Sequence, residues 1–167
     1  MDKLAITALA AGILGLAASQ ALAAPSPADK TFATKAAQGG MAEVQDGTLA
    51  QQNAASPQVK QFGQMLVTDH TQANQQLQQI AQQEGITLPA APGTDEAQQS
   101  QKLQSLSGKD FDRQFVQSEV ADHKKTIAEF QKEAQSGSDP ALKAFAQQSI
   151  PVLQKHLQTA ESLANQQ

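Results

Sequence analysis

Apolar residues recur at steps of three and four over four long stretches of this chain, a spacing that fits one face of an α-helix and not a strand. The first stretch, 27–54, opens at Pro27 and Asp29 and carries Phe32/Ala33, Ala36, Gly40, Glu43, Gly47 and Ala50 on its inward stripe. The second, 57–84, starts at Ser56-Pro57 and carries Val59, Phe62, Leu66, His70, Ala73, Leu77 and Ile80, with Gly85 placed for a C-terminal cap. The third, 109–136, carries Val116, Val120, His123, Ile127, Phe130 and Ala134. The fourth, 139–165, opens at Asp139-Pro140 and carries Leu142, Phe145/Ala146, Ser149, Leu153, His156, Ala160 and Leu163. Pro151 falls inside it, and because the apolar period continues past that residue a kink is expected rather than an end. Gly39, Gly40 and Gly47 each cost about 1 kcal/mol in a helix relative to Ala. Two readings of them stay open: close approach of a neighbouring helix, or a break at Gly39-Gly40.

Stretches of about 27 residues make rods of about 40 Å. The simplest way to bury four such stripes is an all-α, up-down four-helix bundle, with short loops joining the first pair and the last pair. The connection over 85–108 is long. Pro89, Pro92 and Gly93 mark a loop, Asp95 to Leu106 fits a short helix, and the segment either crosses over or lies along the bundle end. Composition agrees with helix: 29 of 167 residues are Gln, and strand-favouring Trp and Tyr are absent. The net charge of −4 argues against a nucleic-acid partner, and the absence of Cys excludes disulfides, thiol catalysis and zinc–thiolate sites.

Residues 1–23 read as a secretory signal peptide. Lys3 is the basic start, Leu4 to Leu16 the apolar run, and Ala21-Leu22-Ala23 the small-x-small cleavage pattern. The mature chain is then one domain, 24–167, with no integral membrane span after cleavage and a bacterial periplasmic or secreted destination. The sequence names no protein partner and leaves a homo-oligomer open.

Each apolar stripe contains one ionisable residue: Glu43, His70, His123 and His156, including all three histidines of the chain. Each lies near the middle of its helix, within about four residues, or about 6 Å, of a common level. The sequence therefore predicts three imidazoles and a carboxylate clustered inside the bundle. Such a set suits one Fe, Cu, Zn or Mn ion, with Asp69, Glu119 and Asp122 as candidate outer partners of the histidine rings. Adjacent helical residues point about 100° apart, so Asp69 and Asp122 are expected to serve histidines on neighbouring helices. The competing reading is a buried polar network that fixes helix register and holds no metal.

Glu43-Val44 after Gly39-Gly40, Gly47-x-Leu49-Ala50, Val59-Lys60-x-Phe62, Met65-x-Val67-x-Asp69-His70, Gly85-x-x-Leu88-Pro89, Phe111-Asp112, His123 and Ile150-Pro151-x-Leu153-x-x-His156-Leu157 together resemble the domain-of-unknown-function family 4142. The resemblance spans about 29–163. It implies an exported bacterial protein with a ferritin-like bundle, and it brings no established activity. Di-iron ferritin-like proteins carry Glu-x-x-His on two helices. The residues three before His70, His123 and His156 are Val67, Val120 and Leu153, so that centre is not expected.

No phosphate-binding glycine loop is present, and Ser149 lies about 10 Å along the helix from His156, too far for a nucleophile–base pair. A tightly packed bundle is expected to leave little room for a substrate. The reading that follows is a non-enzymatic envelope protein with a mononuclear metal site. The alternatives are an interaction bundle with a structural polar layer, and a redox metalloenzyme.

Overall fold

The computed structural model describes residues 24–166, and the expected signal segment 1–23 lies outside them. The described chain is all-α with five helices: α1 (Pro27–Asn53), α2 (Pro57–Gln83), α3 (Thr94–Gln104), α4 (Gly108–Ser136) and α5 (Pro140–Ala164). The four long helices start and stop within a residue or so of the sequence expectation because their ends are chemically marked. Ser26 and Asp29 cap the start of α1 reciprocally as a capping box. Ser56 and Asp139 accept from the backbone N–H groups of Val59 and Leu142 at the starts of α2 and α5. Gly85, with φ of +65°, turns the chain out of α2, and the N–H of Ile86 donates back to the carbonyl of Ala81. Helix α5 runs on through Pro151, as the continued apolar period required.

Side-chain contacts give the helix directions. Glu43 meets His70 and Gly47 meets Gly63, so α1 and α2 are antiparallel. His123 meets His156 and Phe130 meets Phe145, so α4 and α5 are antiparallel too. Phe62 faces Phe115 and His70 faces His123, a constant offset along the chain, so α2 and α4 run the same way. Strict up-down alternation is thus broken once, between α2 and α4. The long connection carries the chain from the end of α2 back to the α1–α2 corner, where Gly108 pairs with Ala54, and its helix α3 packs on α1 and α4. The crossover alternative for this segment is the one the structure adopts.

Helix α1 is continuous through Gly39-Gly40, so the glycines serve close approach rather than a break. A Cβ on Gly47 would lie 2.6 Å from the Gly63 carbonyl oxygen, and a Cβ on Gly63 the same distance from the Gly47 oxygen. Only glycine at both positions lets α1 and α2 touch backbone to backbone there.

The core divides into two apolar clusters. One, around Phe62, Phe111, Phe115 and Leu103, fills the end near the α1–α2 corner. The other, around Phe32, Phe130, Phe145 and Leu142, fills the opposite end. Between them lies the polar layer.

Candidate metal centre

Glu43, His70, His123 and His156 reach this layer from α1, α2, α4 and α5, one from each long helix, as the stripe positions predict. His70 is 8% exposed, His123 1% and His156 0%. One ring nitrogen from each histidine lies within 4.8 Å of one from each of the other two. Nε2 of His123 is hydrogen bonded to Nδ1 of His156 at 3.3 Å. Nε2 of His156 is 2.8 Å from Oδ2 of Asp69. Nε2 of His70 and Nδ1 of His123 lie 4.0 and 3.9 Å from the two carboxylate oxygens of Glu43.

The outer acids separate. Asp69 supports the histidine of a neighbouring helix, His156, and not His70 beside it in sequence. Glu119, one turn before His123, is 1% exposed, and its Oε2 lies 3.3 Å from Nδ1 of His123. It therefore joins Glu43 and His123 as a potential ligand itself rather than an outer partner. Asp122 goes elsewhere: it accepts from Nε2 of Gln99 on α3 at 2.6 Å. Asp46, which lies off the predicted stripe of α1, is 3% exposed and accepts from the Ser100 hydroxyl of α3 at 2.5 Å. These two contacts hold α3 beside the layer. They depend on how the crossover docks, which no local spacing in the sequence encodes.

Burial sets the charge states. It pushes the Glu43 carboxyl well above the usual range, and the neighbouring Glu119 carboxyl adds to the shift. It pushes Asp46 up to about 7 despite the Ser100 hydrogen bond, and raises Asp122 against the opposing bond from Gln99. Burial also pushes His70 below the imidazole range, helped by His123 and His156, and lowers His156 against the pull of Asp69. Neutral imidazoles are therefore favoured at His70 and His156.

The chain Asp69···His156···His123···Glu119 backbone oxygen has three links. An imidazole carries one N–H when neutral and two when charged. One link lacks a hydrogen unless the layer takes up an extra proton or a cation. In addition, Glu43 Oε2, His70 Nε2 and Glu119 Oε2 are buried with no hydrogen-bond partner. Buried polar atoms of this kind are rare unless something else satisfies them.

The expectation of a bundle too tight for a pocket does not hold. A cavity of about 280 Å³ runs between the α1/α2 and α4/α5 pairs. Its inner end is made by Glu43 and the three imidazoles, its wall includes Phe32, Phe130 and Phe145, and exposed side chains such as Lys35, Gln72 and Val152 also line it. Gly40, on the cavity wall, leaves room for the Asn74 side chain, whose Oδ1 would lie 2.0 Å from an added Cβ.

The model of the family described as "Domain of unknown function (DUF4142)" matches residues 15–163. The chain belongs to DUF4142. The match includes all four helices that supply the layer. The comparison with curated proteins gave no significant match. Among solved structures, the chain is similar to the crystal structure of a DUF305 fragment from Deinococcus radiodurans, with a TM-score of 0.76, 12% identity, and coverage of 87% of this chain and 100% of that one. At that identity the likeness speaks for the fold. Among the described residues, no helix is long and apolar enough to cross a membrane.

Proposed function

We propose that this DUF4142 protein is exported to the bacterial envelope, folds as a ferritin-like four-helix bundle, and acts without catalysis as a holder of one transition-metal ion. The ligands are His70, His123, His156 and Glu43, and Asp69 orients the His156 ring. The observation that carries the reading is the set of unpartnered buried atoms. A network serving only helix register would satisfy its members, since a half-satisfied buried network is worse than an apolar core. Here a ring nitrogen of His70 and an oxygen of Glu43 face each other at 4.0 Å, and each lacks a hydrogen-bond partner in the protein. Two ligands on one tetrahedral ion with bonds of about 2.1 Å stand about 3.4 Å apart. The spacings that one ion would span, 3.3 Å between Nε2 of His123 and Nδ1 of His156 and 4.0 Å between Nε2 of His70 and Oε2 of Glu43, are close to that edge length. Three imidazoles and a carboxylate suit Zn, Cu, Fe or Mn.

The bundle is supported by the neighbour cycle α1–α2–α5–α4 and by the shared fold of the DUF305 fragment. Export is supported by the character of 1–23. Sequencing the N-terminus of protein recovered from the periplasm tests it, with Ala24 the expected first residue.

The metal reading is tested by His123→Ala, unfolded with and without each ion. Loss of metal binding, and loss of the extra stability that the ion confers on the parent protein, is the expected result. An equal cost of about 1–3 kcal/mol in both conditions would indicate a metal-free polar network instead.

A further inference from the structure

Beyond the four ligands just assigned, the layer contains a second group with ligand spacing: Glu43, Glu119 and Nδ1 of His123, with one ligand atom from each within 4.8 Å of the others. We infer that Glu119 completes a second cation position beside the first, so that the layer holds two divalent ions bridged by Glu43 and His123. This rests on the metal reading above and extends it.

Four observations converge. Glu119 is 1% exposed, and its Oε2 has no hydrogen-bond partner although it lies 3.3 Å from Nδ1 of His123. That nitrogen turns instead to the backbone oxygen of Glu119, at 3.0 Å. Second, the two nitrogens of His123 face opposite ways: Nε2 toward His156 and Nδ1 toward the two glutamates. Third, Glu43 divides its oxygens in the same manner, Oε2 toward His70 and Oε1 toward His123. One carboxylate and one ring thus each present an atom to both positions. Fourth, the buried Glu119 carboxyl and the largely buried Glu43 carboxyl share this space, and among the described residues the ion pairs formed by lysines and arginine lie outside it, at Glu129, Glu161 and Asp110. An uncompensated pair of buried acids is costly unless protons or a cation neutralise it.

The two positions differ in chemistry. The first offers three imidazole nitrogens and one oxygen, a borderline-soft set. The second offers two carboxylate oxygens and one nitrogen, a harder set that favours Zn, Mn or Fe over Cu(I). Filling both requires His123 to give up its ring proton to solvent, so that Nδ1 and Nε2 each bind an ion. Glu43 and Glu119 bind as carboxylates, and the proton that burial favours on Glu43 leaves as well. The pattern differs from Glu-x-x-His: Glu119 stands four residues before its histidine, one full turn, and the bridging ring takes a place that a carboxylate holds in di-iron sites.

The experiment is Zn(II) stoichiometry on the mature protein without an affinity tag, by elemental analysis after dialysis and by calorimetric titration. Glu119→Gln keeps the side chain's shape and removes its charge. His70→Gln removes a ligand of the first position only. Far-UV circular dichroism verifies that both variants are folded. Two equivalents in the parent, one in Glu119→Gln and one in His70→Gln is the expected pattern. One equivalent in the parent overturns the pair of ions, and its retention in Glu119→Gln with loss in His70→Gln leaves the first position intact. Two equivalents in both the parent and Glu119→Gln places the second ion elsewhere and overturns the assignment of Glu119. No bound Zn(II) in the parent overturns the metal reading itself, and the second position with it.

Discussion

Asp46 gives a test of the buried electrostatics that needs no metal. Its carboxyl is 3% exposed and pushed up to about 7, from a reference value of 3.8, by burial and by the nearby Glu119 and Asp122. In the folded state the protonated form is therefore favoured. The stabilisation is fully present below the unfolded value near 4 and is lost as pH rises through the folded value near 7. A shift of about three units at 1.36 kcal/mol each sets a ceiling of about 4 kcal/mol. Protons shared with the neighbouring acids reduce this to about 2–4 kcal/mol. Asp46→Asn mimics the protonated acid, and its amide oxygen still accepts from Ser100. In a chelator, the variant should match the parent at pH 4 and exceed its stability by about 2–4 kcal/mol at pH 8. Urea unfolding followed at 222 nm reads this, since the chain has no Trp or Tyr for fluorescence. The histidines are common to both proteins, so the difference isolates Asp46. Stability curves for parent and variant that stay parallel from pH 4 to 8 would refute the reasoning.

Other outcomes follow from the same geometry. Gly39→Ala, where an added Cβ meets nothing within 4 Å, should stabilise by about 0.5–1 kcal/mol, whereas Gly47→Ala, facing a backbone oxygen at 2.6 Å, should destabilise by about 1–3 kcal/mol in the same urea assay. Asp112 accepts from the backbone N–H groups of Ala55 and Ser56 at 3.0 and 2.9 Å, so Asp112→Ala should cost about 1–3 kcal/mol and speed hydrogen exchange at the α1–α2 corner. Asp69→Asn weakens the partner of the His156 ring and should lower metal affinity about 10–100-fold by calorimetry while leaving the metal-free fold within about 1 kcal/mol.

The helices and their inner faces were legible because local patterning determines them. Ser56-Pro57, Gly85 and Asp139-Pro140 act within one turn, and the period of three and four carries Glu43, His70, His123 and His156 to one level in an antiparallel arrangement. The long-range parts were less legible. The docking of α3 on α1 and α4 determines that Asp122 meets Gln99 and that Asp46 meets Ser100. The parallel run of α2 and α4 follows from that crossover as well. Glu119 was visible one turn before His123, but its ligand-like spacing to both His123 and Glu43 depends on Glu43 reaching across from α1. The cavity arises where the two helix pairs pack less closely than the helices within each pair, a property of tertiary packing rather than of any one stripe.

The central claim is that the His70/His123/His156/Glu43 layer is built around a cation. The most direct measurement is thermal unfolding of the mature, tag-free protein, stripped with chelator and titrated with Fe(II), Cu(II), Zn(II) and Mn(II). An ion held by this layer at 100 times its dissociation constant adds about 2.7 kcal/mol, and so raises Tm by about 5–10 °C for a domain of this size. The account predicts such a rise for at least one ion, and its loss in the His70→Ala/His123→Ala/His156→Ala triple variant. An unchanged Tm with all four ions, or a rise that survives in the triple variant, would contradict it.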